Sequence, residues 1–328
     1  MRSPTSAAAA LCLLAAGCGT WSNEDVRFLE ALPTREDLRV EVPAGAAPVA
    51  GVAEARLALS AACGLGGADA WIAARKTSTD INASVDAVIG LVDVVRRYPP
   101  TTRLADGRIW GPFDDDKHPG NEIRIVIMRD VPADPAAPVA HAYAFEARPK
   151  GGAAPFRPVL AGTFVGATAA RGRGSLALYF ETLWALGMAD ADAPHGEMDV
   201  AYDRSVEPRT VHLVLAQLPG FGLVQQFDYA FSGFQDGRGL FKYLFQKAAA
   251  GGGTDELTVS ASFAADGAGR GFIGLKAASG ATGSFQQCWD AGACLTYVDD
   301  PTGYSCGGAV PCLLGGVESC PPVAPPLP

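Results

Sequence analysis

Residues 227–263 read FDYAFSGFQDGRGLFKYLFQKAAAGGGTDELTVSASF, and the type of fold can be recognised within this stretch. Apolar side chains alternate with polar or small ones on both sides of Asp236-Gly237, and again after the glycines at 251–253. A period of two residues is typical of a β-strand with one buried face. The glycine-containing connections are too short for parallel crossovers, so the stretch predicts three antiparallel strands joined by hairpins.

The same alternation recurs along most of the chain, and Asp266-Gly267 marks a further hairpin turn. Eight to ten such strands are expected, which is more than usually stays flat. We therefore predict an α+β fold that is mostly β, with residues 101–285 forming a curved antiparallel meander sheet or a partly closed β-barrel. The other apolar stripes are Ile123, Ile125 and Ile127; His141, Tyr143 and Phe145; Leu176, Leu178 and Phe180; Met198, Val200 and Tyr202; and Val211, Leu213 and Leu215.

Residues 51–100 change to helical spacing and predict a helical pair that packs on the sheet. The first helix is alanine-rich, runs through Cys63 and is broken by the glycines at 64–67. The second begins near Thr79 or Asp80, which could cap it, and ends before Pro99. Its single apolar face contains Ile81, Val85, Val88, Ile89, Val92 and Val95.

The N-terminus has the pattern of a secretory signal peptide. Arg2 precedes a small and apolar run from Ala7 to Ala16, about ten residues long, which is too short to span a bilayer. The following LAAGC, ending at Cys18, resembles the bacterial lipobox, although Ala15 stands where the family most often has Leu. This resemblance implies removal of residues 1–17 and lipid attachment at Cys18. An ordinary signal peptide cleaved near Ala16 is the alternative.

Residues 18–50 are expected to form a lipidated tether with one short helix between Asn23 and Leu32. Within the tether, TWSNEDVRFLEALP at 20–33 resembles the opening of uncharacterised outer-membrane lipoproteins of myxobacteria. That resemblance covers about a dozen residues and implies no function. Gly19, without an aspartate after the acylated cysteine, favours the outer membrane by similarity to the enteric sorting rule. The expected location is therefore the cell envelope, with the chain lipid-anchored to the outer membrane.

The charge balance restricts the partners. The chain has 35 Asp and Glu against 26 Lys and Arg, a formal net charge of −9. This argues against nucleic acid, and against an anionic lipid surface as the main partner of the folded domain. The expected partners are the membrane, through the acyl anchor, and an apolar small molecule or an envelope protein. No cofactor is expected.

Of the eight cysteines, Cys12 lies in the predicted signal peptide and Cys18 is assigned to the lipid, which leaves six: Cys63, Cys288, Cys294, Cys306, Cys312 and Cys320. An even number in an exported chain favours disulfides, and residues 286–328 are expected to be a Cys-, Gly- and Pro-rich tail held by them. The pairing that we predict is Cys288 with Cys294, Cys306 with Cys312, and Cys63 with Cys320. Structural zinc is the alternative, although five intervening residues exceed the usual two to four; free thiols are a third.

Catalytic and metal-binding signals are weak. The four histidines lie far apart in sequence, and no zinc-protease, nucleophile-elbow or phosphate-loop motif is present. A triad assembled from distant residues stays open. The densest group of oxygen ligands contains Asp114, Asp116 and Glu122, a weak candidate for calcium that lacks the spacing of a helix-loop-helix calcium loop. A solvated turn is the alternative at this position.

Six aromatic residues share one face of the hairpin centred on Asp236. They could form the wall of an apolar pocket between sheet and helices, or simply the core of the sheet. The sequence therefore favours a non-enzymatic binding module, with a structural envelope component as the alternative and an extracytoplasmic hydrolase as a second. The residues are Phe227, Tyr229, Phe231, Phe241, Tyr243 and Phe245. The architecture resembles lipoprotein carriers only at the level of the fold, which is weak evidence of function.

Overall fold

A computed structural model describes residues 21–43, 63–93, 97–132, 134, 137–166, 172–191, 193–218, 224–303 and 311–322. The predicted signal peptide, Cys18, Cys306 and the predicted first helix before Cys63 lie outside these residues. None of the helices that the structure describes is both long and apolar enough to cross a bilayer. The α-helices described are α1 (Asn23–Leu29), α2 (Arg35–Leu38), α3 (Asp69–Val92) and α4 (Phe180–Ala185).

Fifteen described strands form one sheet, in which each strand pairs with its neighbours along the chain. They are β1 (Thr102–Leu104), β2 (Gly107–Asp114), β3 (Asn121–Asp130), β4 (Ala140–Pro149), β5 (Arg157–Gly166), β6 (Gly172–Tyr179), β7 (Gly196–Asp203), β8 (Arg209–Gln217), β9 (Val224–Gly233), β10 (Gly239–Ala248), β11 (Thr254–Phe263), β12 (Gly269–Lys276), β13 (Thr282–Trp289), β14 (Leu295–Asp300) and β15 (Cys312–Leu314).

The sheet is an antiparallel meander from β1 to β15, as the sequence predicts. The first and last described strands do not pair with each other, so the sheet stays open and the alternative of a partly closed barrel is not realised. The sheet also extends past residue 285, where we expected the β region to end, because β13, β14 and β15 continue the ladder. Part of the predicted tail is therefore sheet.

One face of the sheet carries the core. The alternating residues that the sequence marked as apolar are buried on this face, for example Ile125, Ile127, Leu213 and Tyr143. Helix α3 packs against β11 and β12, while α1 packs against β2 and β3. The elements before β1 thus cover the inner face of the meander, and this is how a single sheet obtains a second layer.

Helix α3 starts ten residues earlier than predicted, so Thr79 and Asp80 do not cap it. Ala68 precedes the helix and contributes no side-chain cap. The sheet supplies the missing partner: the Ala70 amide donates to Oε1 of Gln287 at 3.0 Å, and Nε2 of Gln287 donates to Asp69 at 3.2 Å. A helix start satisfied by a distant strand leaves no local cap signal in the sequence. Of its predicted apolar residues, Ile81, Val85, Val88 and Ile89 are buried, and Val95 lies outside the described residues.

Two glycines of the central strands make room for aromatic rings on the inner face. A Cβ atom at Gly162 would overlap the Tyr143 ring, and one at Gly174 would overlap the Tyr202 ring. Each ring lies over the glycine directly opposite it in the ladder. Close packing, rather than a bend in the strand, explains why these positions lack side chains.

Helix α1 is docked onto the sheet rather than left as a free tether. Its N-cap is Ser22, and Phe28 of the helix is fully buried. Asp25, which has no exposed surface, accepts from Nε of Arg108 at 2.6 Å and from Nη2 of Arg103 at 2.9 Å. These ion pairs join the N-terminal segment to β1 and β2.

The disulfides differ from the predicted pairing. Cys63 is bonded to Cys294, and Cys288 is bonded to Cys320. Cys288 and Cys294 flank the turn between β13 and β14, where the register places Cys288 opposite Tyr297. Two cysteines close in sequence are therefore not partners across this hairpin. Cys312 is also disulfide-bonded, and its predicted partner Cys306 lies outside the described residues.

Removing the Cys63–Cys294 disulfide by Cys63→Ala/Cys294→Ala should lower the free energy of unfolding by about 2–4 kcal/mol. The bond joins residues 231 positions apart and ties the start of α3 to the turn before β14. The matched control is Cys288→Ala/Cys320→Ala, which opens a link of only 32 positions. Loop-closure entropy predicts a loss smaller by about 2 kcal/mol for that variant. Equal losses in urea unfolding would contradict this account.

Candidate ligand-binding groove

The six aromatic residues of the β9–β10 hairpin all lie on the inner face of the sheet. The register pairs Phe231 with Phe241, Tyr229 with Tyr243, and Phe227 with Phe245. Adjacent rings contact one another, with the Tyr229 and Phe241 ring centroids 4.9 Å apart. The shared face predicted from their parity is therefore present in the structure.

Burial of these rings changes along the hairpin. Tyr229 and Phe241, in its middle, have no exposed surface, so they belong to the core. Phe227 and Phe245, at the end far from the turn, are only partly buried. The fully buried rings therefore belong to the core, whereas the two rings at the far end of the hairpin keep some exposed surface.

Space remains unfilled between α3 and the partly buried end of the hairpin. A groove of about 400 Å³ lies there, within the range of small-molecule sites. Its apolar residues are Ile81, Met198, Leu213, Leu215, Phe227, Tyr243, Phe245 and Leu257. The polar residues Thr77, Asp80 and Ser84 come from α3. They fall at helical spacing on the edge of its apolar stripe, so the groove has a polar rim and an apolar floor.

The Tyr243 hydroxyl also lies in the groove, where it is hydrogen-bonded to the Thr77 side chain of α3. Burial raises the pKa of Tyr243 to about 12, so its hydroxyl is neutral at physiological pH. A neutral hydroxyl can both donate and accept a hydrogen bond. The groove can therefore hold an apolar molecule and orient one polar group of it.

Of the eleven residues that line the groove, the sequence predicts three as pocket residues: Phe227, Tyr243 and Phe245. Ile81 is predicted only as part of the apolar face of α3. The sequence pattern assigns four other lining residues only to the inner face of the sheet: Met198, Leu213, Leu215 and Leu257. The groove itself cannot be predicted from them, because it forms only when five neighbouring strands pack together. The polar rim could have been predicted from the sequence, because Thr77, Asp80 and Ser84 fall at helical spacing beside the apolar stripe of α3.

Two of the three acids in the weak calcium candidate, Asp114 and Glu122, form ion pairs with basic side chains. Oδ2 of Asp114 accepts from Lys150 at 2.7 Å, and Glu122 is paired with Arg148 at 2.8 Å. Asp116 is exposed. Within the described ranges, no three His, Cys, Asp or Glu side chains are grouped closely enough to hold a metal ion. A calcium ion would therefore have to compete with Lys150 for Asp114 and with Arg148 for Glu122.

Three histidines are each paired with a nearby carboxylate. His118 lies 2.8 Å from Asp115, His195 lies 2.8 Å from Glu181, and His212 lies 2.8 Å from Asp228. These pairs lie on different elements: the β2–β3 turn, the segment before β7, and strand β8.

The fourth histidine, His141, contacts Phe28 and Phe164. Burial, together with the charge of Arg129, lowers its pKa. It is therefore a neutral packing residue at pH 7.

Comparison with family models, with curated proteins and with solved structures found no match to this chain. The class of protein is thus defined by its architecture, a single open meander sheet covered on its inner face by an N-terminal helical segment. Its function has to be argued from the groove.

Proposed function

We propose that this chain is an exported bacterial lipoprotein that binds an apolar ligand in the groove between α3 and strands β7–β11. The observation that supports this most is the unfilled volume of about 400 Å³ beside the Phe227 and Phe245 rings. The groove is open to solvent, and an exposed concave surface with mostly apolar lining is typical of a small-molecule site.

The apolar floor favours a hydrocarbon-rich ligand such as an acyl chain. Each methylene moved from water into the groove would contribute about 0.8 kcal/mol. The Tyr243 hydroxyl and the rim residues Thr77, Asp80 and Ser84 would contact the polar end of such a molecule. The arrangement of apolar and polar lining residues fits an amphiphile, with its acyl chain in the groove and its polar head next to α3.

We also propose that acyl chains anchor this protein to a membrane. The lipobox-like sequence ending at Cys18 supports acylation there, and two or three acyl chains hold a protein durably on a membrane. The net charge of −9 would repel the folded domain from anionic headgroups. The domain would then stand away from the membrane surface, in the outer membrane by our proposal, with its groove accessible.

Native mass spectrometry of the purified chain, before and after organic extraction, tests the function directly. A lipid-sized mass that disappears on extraction is the expected result. A chain that binds no added fatty acid or lipid after extraction would favour the structural alternative.

The substitution Ser84→Trp should block the groove from its rim and weaken ligand binding at least tenfold. Ser84 is an exposed groove residue on α3, so the new ring can occupy the opening without replacing a core side chain. The control is Ala83→Trp, one position away on the exposed helix surface and not part of the groove. Binding is measured by titration with the neutral fluorescent probe N-phenyl-1-naphthylamine. Equal affinities in the two variants would show that the probe binds elsewhere.

A further inference from the structure

A second cavity, of about 760 Å³, lies at the other end of the β9–β10 hairpin, beside the turn at Asp236. Three connections and the segment before α3 meet there: the β7–β8 loop, the β9–β10 turn, the β11–β12 turn and residues 39–43. Four arginines line it, namely Arg39, Arg204, Arg209 and Arg238. We call this cavity the arginine pocket.

Concentration of arginine in one place is unexpected for an acidic chain. The whole sequence has 35 acidic and 26 basic residues, yet the lining of the arginine pocket contains four arginines and two acids, Glu41 and Asp266. The lining of the pocket therefore has an excess of basic side chains, although the chain as a whole is acidic.

Two of the arginines, Arg204 and Arg238, have hydrogen-bond or ion-pair partners, and the other two have none among the described residues. Nε of Arg204 donates to the Asp37 carbonyl at 3.0 Å, and Arg238 pairs with Asp236 at 2.7 Å. In the part of the chain that the structure describes, the side chains of Arg39 and Arg209 have no hydrogen bond and no carboxylate within ion-pair distance. Arg39 and Arg209 are exposed, so their guanidinium groups are free to make charge-assisted hydrogen bonds to an anion.

The surroundings of Arg204 strengthen this interpretation. Burial lowers its pKa, and the charge of Arg209 lowers it further, while the carboxylates of Asp37, Glu41 and Glu36 act in the opposite direction. Like charges that are kept together and partly desolvated gain most from an added negative ligand.

We propose that the arginine pocket binds a phosphomonoester, with Arg39 and Arg209 as the direct ligands of its phosphate oxygens. The planar guanidinium group matches phosphate oxygens in bidentate geometry. A phosphomonoester carries a charge of about −1.5 to −2 at pH 7, which matches two unpaired arginines. Phe231, Phe234 and Val211 supply an apolar wall for the organic part of the ligand. The phosphate could belong to a free metabolite or to the headgroup of an amphiphile.

Isothermal titration calorimetry of the full chain tests the proposal with two soluble probes, glycerol 3-phosphate and dihexanoyl phosphatidic acid. Binding of either supports the site, and the tighter one identifies the source of the phosphate. Arg39→Gln and Arg209→Gln should each weaken binding about tenfold, and added salt should weaken it further. The control Arg157→Gln removes an exposed arginine at the opposite end of the sheet and should change affinity less than twofold.

Two results would overturn the proposal: no binding of either probe, or an equal loss in the Arg157→Gln control. The groove variant Ser84→Trp should retain phosphate binding. The proposal of a phosphate site and the proposal of an apolar groove can therefore be contradicted independently of each other.

Discussion

Replacing Trp71 with alanine is expected to lower the free energy of unfolding by about 3–5 kcal/mol. Trp71, in the first turn of α3, is 2% exposed. Its ring packs edge-on against Phe263 with centroids 5.7 Å apart, and lies 5.8 Å from the Trp289 ring. Removing it would leave a cavity where the helix meets β11–β13. The cost is therefore both lost apolar contact and an unfilled space.

Urea unfolding followed by far-UV circular dichroism measures this effect without depending on tryptophan fluorescence. The control is Trp21→Ala, because Trp21 is 38% exposed and lies before α1. The free energy of unfolding of the Trp21→Ala variant should fall by less than about 1 kcal/mol. A Trp71→Ala variant as stable as Trp21→Ala would show that α3 is not anchored through this ring.

Replacing Asp25 with asparagine should cost about 3 kcal/mol at pH 7. Asp25 is fully buried and neutralises Arg108, whose side chain is 7% exposed, together with Arg103. The substitution keeps the shape of the side chain but leaves the Arg108 charge buried without its counter-ion. In contrast, Asp80→Asn breaks an exposed pair with Lys76 on α3 and should cost less than about 0.5 kcal/mol.

The effect of Asp25 should depend on pH. Burial alone would raise its pKa, but hydrogen bonds from Arg103, the Ser22 amide and Arg108 together lower the pKa well below its usual range. A pKa lower in the folded than in the unfolded chain gives a stabilisation that is complete above about pH 5. It decreases as pH falls below that value. The stability difference between wild type and Asp25→Asn should therefore shrink in acid, and a constant difference from pH 7 to pH 3 would contradict this.

The strand pattern was predictable because its signal is local. Residues such as Ile125, Leu213 and Tyr229 alternate with polar neighbours, and that period alone assigns them to one face. The hairpin turns were predictable for the same reason, since Gly237 and Gly267 adopt positive φ angles that favour glycine. These signals need no knowledge of distant residues.

The start of α3 and the disulfide partners were not predictable by such means. Gln287 caps a helix that begins more than 200 residues earlier, and Cys63 bonds to Cys294 across a separation of 231. A cysteine spacing of five residues suggested local pairs, but the hairpin register brings Tyr297 opposite Cys288. Contacts of this kind depend on how the sheet is assembled, and single-sequence patterns carry no record of that assembly.

By itself, the sequence determined a mostly β chain, an antiparallel meander, the inner-face residues of its strands and the amphipathic character of α3, because each follows from spacing within one segment. Only the tertiary structure decided that the sheet stays open, which cysteines pair and where space is left unfilled. It also brought Arg39, Arg204, Arg209 and Arg238 from separate connections into one pocket. The physical reason is that a groove and a charged pocket are properties of the surfaces between elements, and those surfaces exist only after the elements have packed.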